Sequence, residues 1–158
     1  MATIINADTS DGLKLTSDTS GQIDLQSAGS TKATIDTSGN LKFNSGFGSV
    51  GTAYGCRAWI NFNGTGTLAI RDSGNVSSVT DNAVGKYTVN FATNMPDINY
   101  SVSGIAQDTV SGSSSNSPSV TIQDATSSTT TSTLTINVIT GNGQSFIDSP
   151  IANVQIIR

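Results

Sequence analysis

The stretch DGLKLTSDTSGQIDLQSAGSTKATIDTSGNLKF, residues 11–43, decides how the amino-terminal part of the chain folds. It contains four apolar pairs, each with one polar residue between its members: Leu13/Leu15, Ile23/Leu25, Ala33/Ile35 and Leu41/Phe43. This spacing places both members of a pair on one face of a β-strand. Turn formers such as Gly21, Gly29 and Gly39 separate the pairs. The pattern predicts a repetitive β architecture of short strands and tight turns.

A single copy of this repeat is a poor folding unit. Burial of two medium-sized apolar side chains per repeat supplies less free energy than ordering about ten residues costs. Facing copies would supply the missing contacts, and three chains around an axis form the simplest closed arrangement. We therefore predict an intertwined homotrimeric β stem over residues 1–45. The alternative is a disordered leader rich in Ser, Thr and Gly.

The composition indicates an all-β chain. The 158 residues suit one domain, or one domain plus a stem. His and Glu are absent, all eleven acidic residues are Asp, and no stretch shows sustained helical periodicity. Asp, Ser, Thr, Asn and Gly instead favour turns and strands.

Charge and targeting signals limit the expected partners. The net charge is −4, and the seven Lys and Arg residues are scattered, so neither nucleic acid nor an anionic membrane is expected as a partner. No apolar run approaches the length of about 20 residues that spans a bilayer. Residues 1–7 lack the features of a secretory signal, which predicts synthesis in the cytoplasm without export. The lone Cys56 is predicted to be a small buried hydrophobic residue.

Residues 46–55 are predicted to form a glycine-rich hinge. Residues 46–51 fit the G-x-G-x-x-G pattern, and Asp72 follows about 20 residues later. A dinucleotide site needs a strand before this loop and a helix after it, but the following residues have β or turn character. We therefore expect no cofactor.

Residues 56–158 are predicted to form a β-sandwich or jelly-roll-like head of seven or eight strands. The apolar residues that alternate along the predicted strands are Ala58/Ile60/Phe62, Leu68/Ile70, Tyr87/Val89/Phe91, Ile98/Tyr100/Val102, Val120/Ile122, Leu134/Ile136/Val138 and Val154/Ile156. Residues 72–85 are predicted to be polar and turn-rich. Residues 110–119 and 124–132 are predicted to be exposed loops. They are the main candidates for contact surfaces, and the alternative for each is an ordinary solvated loop.

Trp59 does not fit the core face of its strand, because it alternates away from Ala58, Ile60 and Phe62. Aromatic side chains on the outer face of a sheet anchor protein interfaces and sugars. Packing against a neighbouring subunit, contact with a ligand and ordinary partial exposure are the three open interpretations. Tyr54 lies nearby in sequence and has the same three interpretations. Both residues are candidates for an interface or ligand contact.

The sequence lacks the residues of several catalytic mechanisms. Without His there is no Ser-His-Asp or Cys-His pair and no His-ligated metal. Two Asp residues could still act as a glycosidase pair. The Asp residues of the head lie at strand ends or turns, where Asp typically caps the local backbone. We therefore expect no catalytic residues and no metal site.

Several segments resemble virion proteins of marine tailed bacteriophages. Residues 1–10 (MATIINADTS), 12–15 (GLKL) and 17–21 (SDTSG) resemble the start of such proteins. Residues 56–66 (CRAWINFNGTG), 74–82 (GNVSSVTDN) and 87–91 (YTVNF) resemble a module of phage tail-fibre-like proteins. The resemblance implies a trimeric, fibrous, virion-attached protein at the point of host contact, and it implies no catalytic residues.

The expected function is that of a non-enzymatic phage fibre protein located in the virion. Its expected partners are two further copies of itself, other virion proteins that bind the amino-terminal segment, and a glycan or protein of the host surface. The main alternative is a capsid-attached decoration or head-fibre protein with a structural role. A polysaccharide depolymerase and a solitary, monomeric sugar-binding module are the remaining alternatives.

Overall fold

The computed structural model describes residues 21–44, 50–108, 117–123, 128–141 and 145–158. Every regular element within these residues is a β-strand, which confirms the predicted all-β class. The chain divides into an amino-terminal unit, Met1–Ala53, and a carboxyl-terminal unit, Tyr54–Arg158. Each unit has its own sheet.

The amino-terminal unit contains an antiparallel meander of four strands. In chain order these are β1 (Ile23–Ser27), β2 (Ser30–Ile35), β3 (Leu41–Phe43) and β4 (Gly51–Thr52). Three of the four predicted apolar pairs lie in β1, β2 and β3, and the pair Leu13/Leu15 lies outside the described residues. Strand β4 is formed by residues of the predicted hinge, and it pairs with β3.

Two turns of different chemistry connect the first three strands. Ala28 and Gly29 form a two-residue loop with φ of 50° and 71°, the backbone of a type I′ hairpin turn. In the next loop the Asp36 carboxylate accepts the backbone N–H groups of Ser38 and Asn40, both at 2.9 Å. The Lys42 ammonium, 2.9 Å from Asp36, contributes most to holding the pKa of this carboxyl well below its ordinary value.

The carboxyl-terminal unit is built on one antiparallel sheet of eight strands. They are β5 (Cys56–Asn63), β6 (Ala69–Gly74), β7 (Val76–Ala83), β8 (Lys86–Phe91), β9 (Ser101–Ala106), β10 (Ser119–Ile122), β11 (Thr133–Ile139) and β12 (Ala152–Ile157). Their order in the sheet is β6-β5-β12-β9-β10-β11-β8-β7. Strands β9, β10 and β11 are consecutive neighbours and β12 returns beside β9, which is the Greek-key arrangement.

The sheet rolls until its two edges meet. Its edge strands, β6 and β7, are consecutive in sequence and are separated by Asn75 alone. The two halves of the sheet therefore face each other across one core, and Phe62 of β5 packs edge-on against Tyr87 of β8 with ring centroids 4.9 Å apart. This sandwich-like arrangement agrees with the predicted head fold.

The core consists of the inward positions of alternating strands. Strands β5, β8, β11 and β12 bury the predicted residues Ala58, Ile60, Phe62, Tyr87, Val89, Phe91, Leu134, Ile136, Val138, Val154 and Ile156. Each inward residue removes apolar surface from water, whereas the residues between them remain partly exposed. The alternation visible in the sequence therefore identifies most of this core.

Several sequence predictions for this unit were wrong, among them the inward position of Ile122, which is exposed. Residues 72–85 are largely strand, because Val76 and Val79 pack against the core and β7 pairs with β8. Cys56 is exposed, since a register shift between Ile156 and Ile157 alters its position at the start of β5. Ile98 is exposed and precedes β9. Ile70 is partly exposed beyond a register shift between β5 and β6.

The predicted contact loops are only partly described. Of residues 110–119, the structure describes 117–119, and Ser119 begins β10. Of residues 124–132, it describes 128–132, where Thr130 bonds to the backbone and side chain of Thr133. The remaining residues of both loops lie outside the described part of the chain.

Candidate functional site

The apolar pairs of the amino-terminal unit align across the strands into one face. Ile35 of β2 lies opposite both Ile23 and Leu41, and Ala33 lies opposite Leu25 and Phe43. Directly opposite residues of antiparallel strands project to the same side of a sheet. The six side chains therefore form what we call the apolar face: Ile23, Leu25, Ala33, Ile35, Leu41 and Phe43.

This apolar face is exposed to a degree that is unusual for a sheet. Four of its five large residues, Leu25, Ile35, Leu41 and Phe43, are 41–53% exposed. The opposite side carries the polar row of Asp24, Thr34, Lys42 and Thr52, in which the Thr34 hydroxyl donates to Asp24 at 2.7 Å. A contiguous apolar surface bordered by polar groups is typical of an interaction site.

Trp59 lies on the outer side of the rolled sheet, as the alternation predicts, and it is 40% exposed. Its indole lies over Gly74 of the neighbouring strand β6, where an added Cβ would come within 2.4 Å of Nε1. Only glycine leaves room for the ring at this position. The contact with Gly74 fixes one side of the indole and leaves the remainder accessible.

Trp59 forms one wall of an open groove of about 560 Å³. The groove crosses β5, β12 and β9. Gln155 of β12 lies opposite both Trp59 and Ser103, and Asn153 in the next row lies opposite Ile105. The Gln155 side chain donates from Nε2 to the Ser103 hydroxyl at 2.9 Å. Ile105, which is 69% exposed, forms the wall opposite Trp59.

Tyr54 does not line this groove. It is 64% exposed, and the Arg158 guanidinium lies 5.7 Å from the centroid of its ring. Arg158 is held in turn by an ion pair with Asp97. The backbone N–H of Asn99, followed by Arg158, lowers the pKa of the Asp97 carboxyl. The two residues selected from the sequence therefore lie in different surroundings, Trp59 in a groove and Tyr54 at the carboxyl-terminal strand end.

Sequence reasoning missed the other groove residues. Ile105 had a detectable signal, because it is an apolar residue that alternates away from Val102 and Ala106, both of which pack against the core. No such sequence signal identifies Gln155, Ser103 or Asn153. Polar residues on the outward side of a strand are ordinary, and only the pairing of β12 between β5 and β9 brings them together.

Three Asp residues of the head have hydrogen-bond partners in the structure. Asp72 accepts the N–H of Ser73, and Asp97 accepts that of Asn99, both at 2.8 Å. Asp148 accepts the Gly85 N–H at 2.8 Å and the Tyr87 hydroxyl at 2.6 Å. The contacts of Asp72 and Asp97 confirm the interpretation of these two residues as caps of the local backbone. The interpretation was wrong for Asp148, because its partners Gly85 and Tyr87 are distant in sequence. Asp124 lies outside the described residues.

Comparisons with known proteins identify no relative: no protein-family model, curated protein or solved structure matches this chain. Within the described residues, no three Asp, Glu, Cys or His side chains are grouped so that they could hold a metal ion. The same part of the chain contains no helix with the length and apolarity required to cross a membrane. The apolar face and the groove beside Trp59 are therefore the features from which a function is inferred.

Proposed function

We propose that this chain is a non-enzymatic fibre protein of a phage virion. It acts as a homotrimer, in which the amino-terminal unit forms a shared β stem and the carboxyl-terminal unit is the head that adheres to the host surface. The exposed apolar face is the single observation that carries the oligomeric part of this proposal. The resemblance of residues 1–21, 56–66, 74–82 and 87–91 to phage proteins supports the location in the virion.

Self-association follows from the repetition of the apolar pairs. A meander of short strands that leaves its apolar side uncovered gains little free energy from burial, whereas ordering its backbone is costly. Copies of the same chain present apolar side chains at the same spacing, so they can bury Leu25, Ile35, Leu41 and Phe43 against one another. Closed rotational symmetry satisfies every copy equally, and three chains leave no open end.

A role in adhesion fits the chemistry of the head. Asp72 and Asp97 bond to adjacent backbone groups, and Asp148 bonds to Gly85 and Tyr87. The chain has neither His nor Glu to act as a general acid or base. Weak binding by one head is sufficient, because several heads on one particle raise the overall avidity. Other virion proteins bind the amino-terminal segment and hold the fibre on the particle.

A capsid-attached decoration or head-fibre protein is the second candidate. Residues 1–10 resemble virion proteins of tailed phages in general, and this resemblance favours the capsid as much as the tail. A trimeric stem is compatible with both candidate functions. The two candidates differ in the role of the head. In the fibre protein it contacts the host, whereas in the capsid decoration protein it has a structural role.

The oligomeric state can be tested by light scattering on the full chain at micromolar concentration. We expect a mass of three chains of 16.1 kDa. Leu25→Lys and Phe43→Lys should each reduce this to the mass of one chain, because a buried ammonium without a partner is strongly unfavourable. Val84→Lys is the matched control, since it changes a similarly exposed apolar residue outside the apolar face. A monomeric wild-type protein would contradict the proposal.

The position on the particle distinguishes the two candidates. Antibodies against the purified chain should label the tail of intact virions, and the purified trimer should adhere to host cells. Labelling of purified heads that lack tails, together with no adhesion to cells, would favour the capsid decoration protein.

A further inference from the structure

We propose that the groove formed by β5, β12 and β9 binds an uncharged oligosaccharide, with Trp59 as the surface on which a sugar ring stacks. This inference rests on the proposed adhesive function and specifies the chemistry of the host ligand. It assigns a binding role to four residues that the sequence pattern does not single out together: Ser103, Ile105, Asn153 and Gln155.

Trp59 has the geometry that a stacking platform requires. Its indole is seated over Gly74, so the ring is held in place before a ligand arrives, while the side chain remains 40% exposed. A large rigid aromatic surface buries much apolar area at a small cost in conformational entropy. The C–H face of a pyranose ring is the apolar part of a sugar, and it matches such a surface.

The floor of the groove supplies the polar groups that sugar hydroxyls need. A carboxamide both donates and accepts hydrogen bonds, as does a sugar hydroxyl. The Gln155 carboxamide is oriented by its 2.9 Å bond to Ser103, which uses one of its two amide hydrogens. Asn153 presents a second carboxamide in the next cross-strand row. Each row can therefore pair with one or more hydroxyls of a bound chain.

The lining of the groove favours an uncharged ligand. The described residues that line it include no Asp, Lys or Arg. Recognition of a phosphate, sulfate or carboxylate group normally uses a cationic side chain, and Arg in particular. A neutral sugar has no such requirement, because its hydroxyls pair with amide and hydroxyl groups.

The dimensions of the groove fit a single carbohydrate chain. Trp59 on β5 and Ile105 on β9 are separated by two strand spacings, about 10 Å across the strands, and lie in adjacent cross-strand rows. The volume of about 560 Å³ lies within the usual range of small-molecule sites, roughly 300–1,000 Å³. Two apolar walls with a polar floor between them can hold a sugar ring on its C–H face and bind its hydroxyls from one side.

The intrinsic fluorescence of the full chain provides a direct test. Trp59 is the only tryptophan in the sequence, so tryptophan emission reports this groove alone. The probes are maltohexaose, cellohexaose, laminarihexaose and mannohexaose, with hexaguluronate as a charged comparator. We expect at least one neutral hexaose to shift the emission with a saturating, millimolar dissociation constant. Absence of a saturable response to all four neutral sugars, or tighter binding of hexaguluronate, would overturn the proposal.

Variants of the other lining residues locate the binding site without removing the fluorophore. Gln155→Ala and Ile105→Ser should each raise the dissociation constant about tenfold, the effect of losing roughly 1.4 kcal/mol of contact. Ile98→Ser is the matched control, because Ile98 is exposed and lies outside the groove. Circular dichroism and thermal melting confirm that each variant is folded. Unchanged binding by both Gln155→Ala and Ile105→Ser would contradict the assignment.

Trp59 itself is tested by calorimetry. Trp59→Ala should abolish detectable binding of the hexaose, and Trp59→Phe should retain part of it, because a smaller ring still stacks. Light scattering on Trp59→Ala checks whether the ring instead covers a neighbouring copy. Loss of the trimer in this variant would overturn the sugar site.

Host-cell adhesion separates failure of the groove from failure of the proposed function. Adhesion of the wild type together with equal adhesion of Trp59→Ala would overturn the sugar site and leave the adhesive function intact. Binding of a hexaose without any adhesion of the wild type to host cells would leave the sugar site standing and contradict the adhesive function.

Discussion

Asn75 shows how one side chain closes the rolled sheet. It forms the corner between β6 and β7 with φ of 55°, in the left-handed region that Asn tolerates better than most residues. Its Nδ2 donates to the carbonyl oxygens of Arg57 at 3.1 Å and Thr93 at 3.0 Å, and its Oδ1 accepts the Thr93 N–H at 2.7 Å. The corner is thereby tied to the start of β5 and to the segment after β8.

We expect Asn75→Ala to lower the free energy of unfolding by about 2–3 kcal/mol, because it removes three hydrogen bonds and places alanine at a positive φ. Asn75→Gly should lower the free energy of unfolding by less, since glycine adopts this φ without strain. Urea denaturation measures both. Asn82→Ala is the control, because Asn82 makes an exposed bond to Thr88, and its effect should stay within about 0.5 kcal/mol. Equal stability of Asn75→Ala and wild type would contradict this role.

Tyr87 is the residue at which pH should affect the core. It is fully buried, and its hydroxyl donates to Asp148 at 2.6 Å. Burial, followed by the hydrogen bond to Asp148, raises the pKa of Tyr87 far above its ordinary value. Burial also raises the pKa of Tyr100. The unfolded chain therefore releases these phenolic protons at a lower pH than the folded protein.

Above a pH of about 10 the tyrosines of the unfolded chain lose their protons, whereas the buried tyrosines of the folded protein keep them. The free energy of unfolding should therefore fall as the pH rises above about 10. Each of the two tyrosines can contribute a slope of up to about 1.4 kcal/mol per pH unit. Tyr87→Phe should reduce the slope of the urea midpoint between pH 9 and 11. An identical slope in Tyr87→Phe and wild type would be inconsistent with this linkage.

At the scale of the strand pair, the hairpin of β1 and β2 contains a correctable defect. The type I′ turn needs positive φ at both central residues, and Gly29 satisfies this requirement at no cost. Ala28, with φ of 50°, has a Cβ that disfavours the left-handed region. The turn is therefore formed at some expense, which the pairing of β1 with β2 must offset.

Ala28→Asn should stabilise the amino-terminal unit by about 0.5–1 kcal/mol, because Asn-Gly is the preferred type I′ sequence. The measurement is the melting temperature of this unit in the full chain. Thr37→Asn is the matched control in the next loop, where Gly39 has the positive φ. A gain from Thr37→Asn as large as that from Ala28→Asn would show that turn conformation is not the cause.

At the scale of the whole molecule, the two units depend on different sources of stability. All the buried apolar residues of the described chain, from Ala58 to Ile156, lie in the carboxyl-terminal unit. The described part of the amino-terminal unit has only Thr34 among its buried residues. The carboxyl-terminal unit therefore has its own core. The amino-terminal unit, under the proposed trimeric stem, depends on contacts outside its own sheet.

Scanning calorimetry of the full chain should therefore show two transitions. The transition of the amino-terminal unit should move to higher temperature as protein concentration rises, because association stabilises the folded state by mass action. The transition of the carboxyl-terminal unit should not depend on concentration. Leu25→Lys should remove only the concentration-dependent transition. A single transition that is independent of concentration would contradict a shared stem.

Local periodicity was sufficient to predict the class of the fold and most of its core. Strands β8 and β11 follow from the alternation of Tyr87/Val89/Phe91 and Leu134/Ile136/Val138, since a two-residue period is a property of the strand itself. It failed at β7, where Val76 and Val79 are three residues apart and a bulge in the pairing restores the register. Bulges depend on the partner strand, which local sequence does not reveal.

The sequence by itself determined an all-β chain, the repeated apolar pairs and the outward position of Trp59, because these follow from which side of a strand each residue occupies. Only the tertiary structure decided which strands are neighbours, and the groove exists because of that strand order. Trp59, Ser103 and Gln155 are brought together by the pairing of β12 with both β5 and β9. That pairing reflects competition among long-range contacts over the whole chain, and no local pattern contains this information.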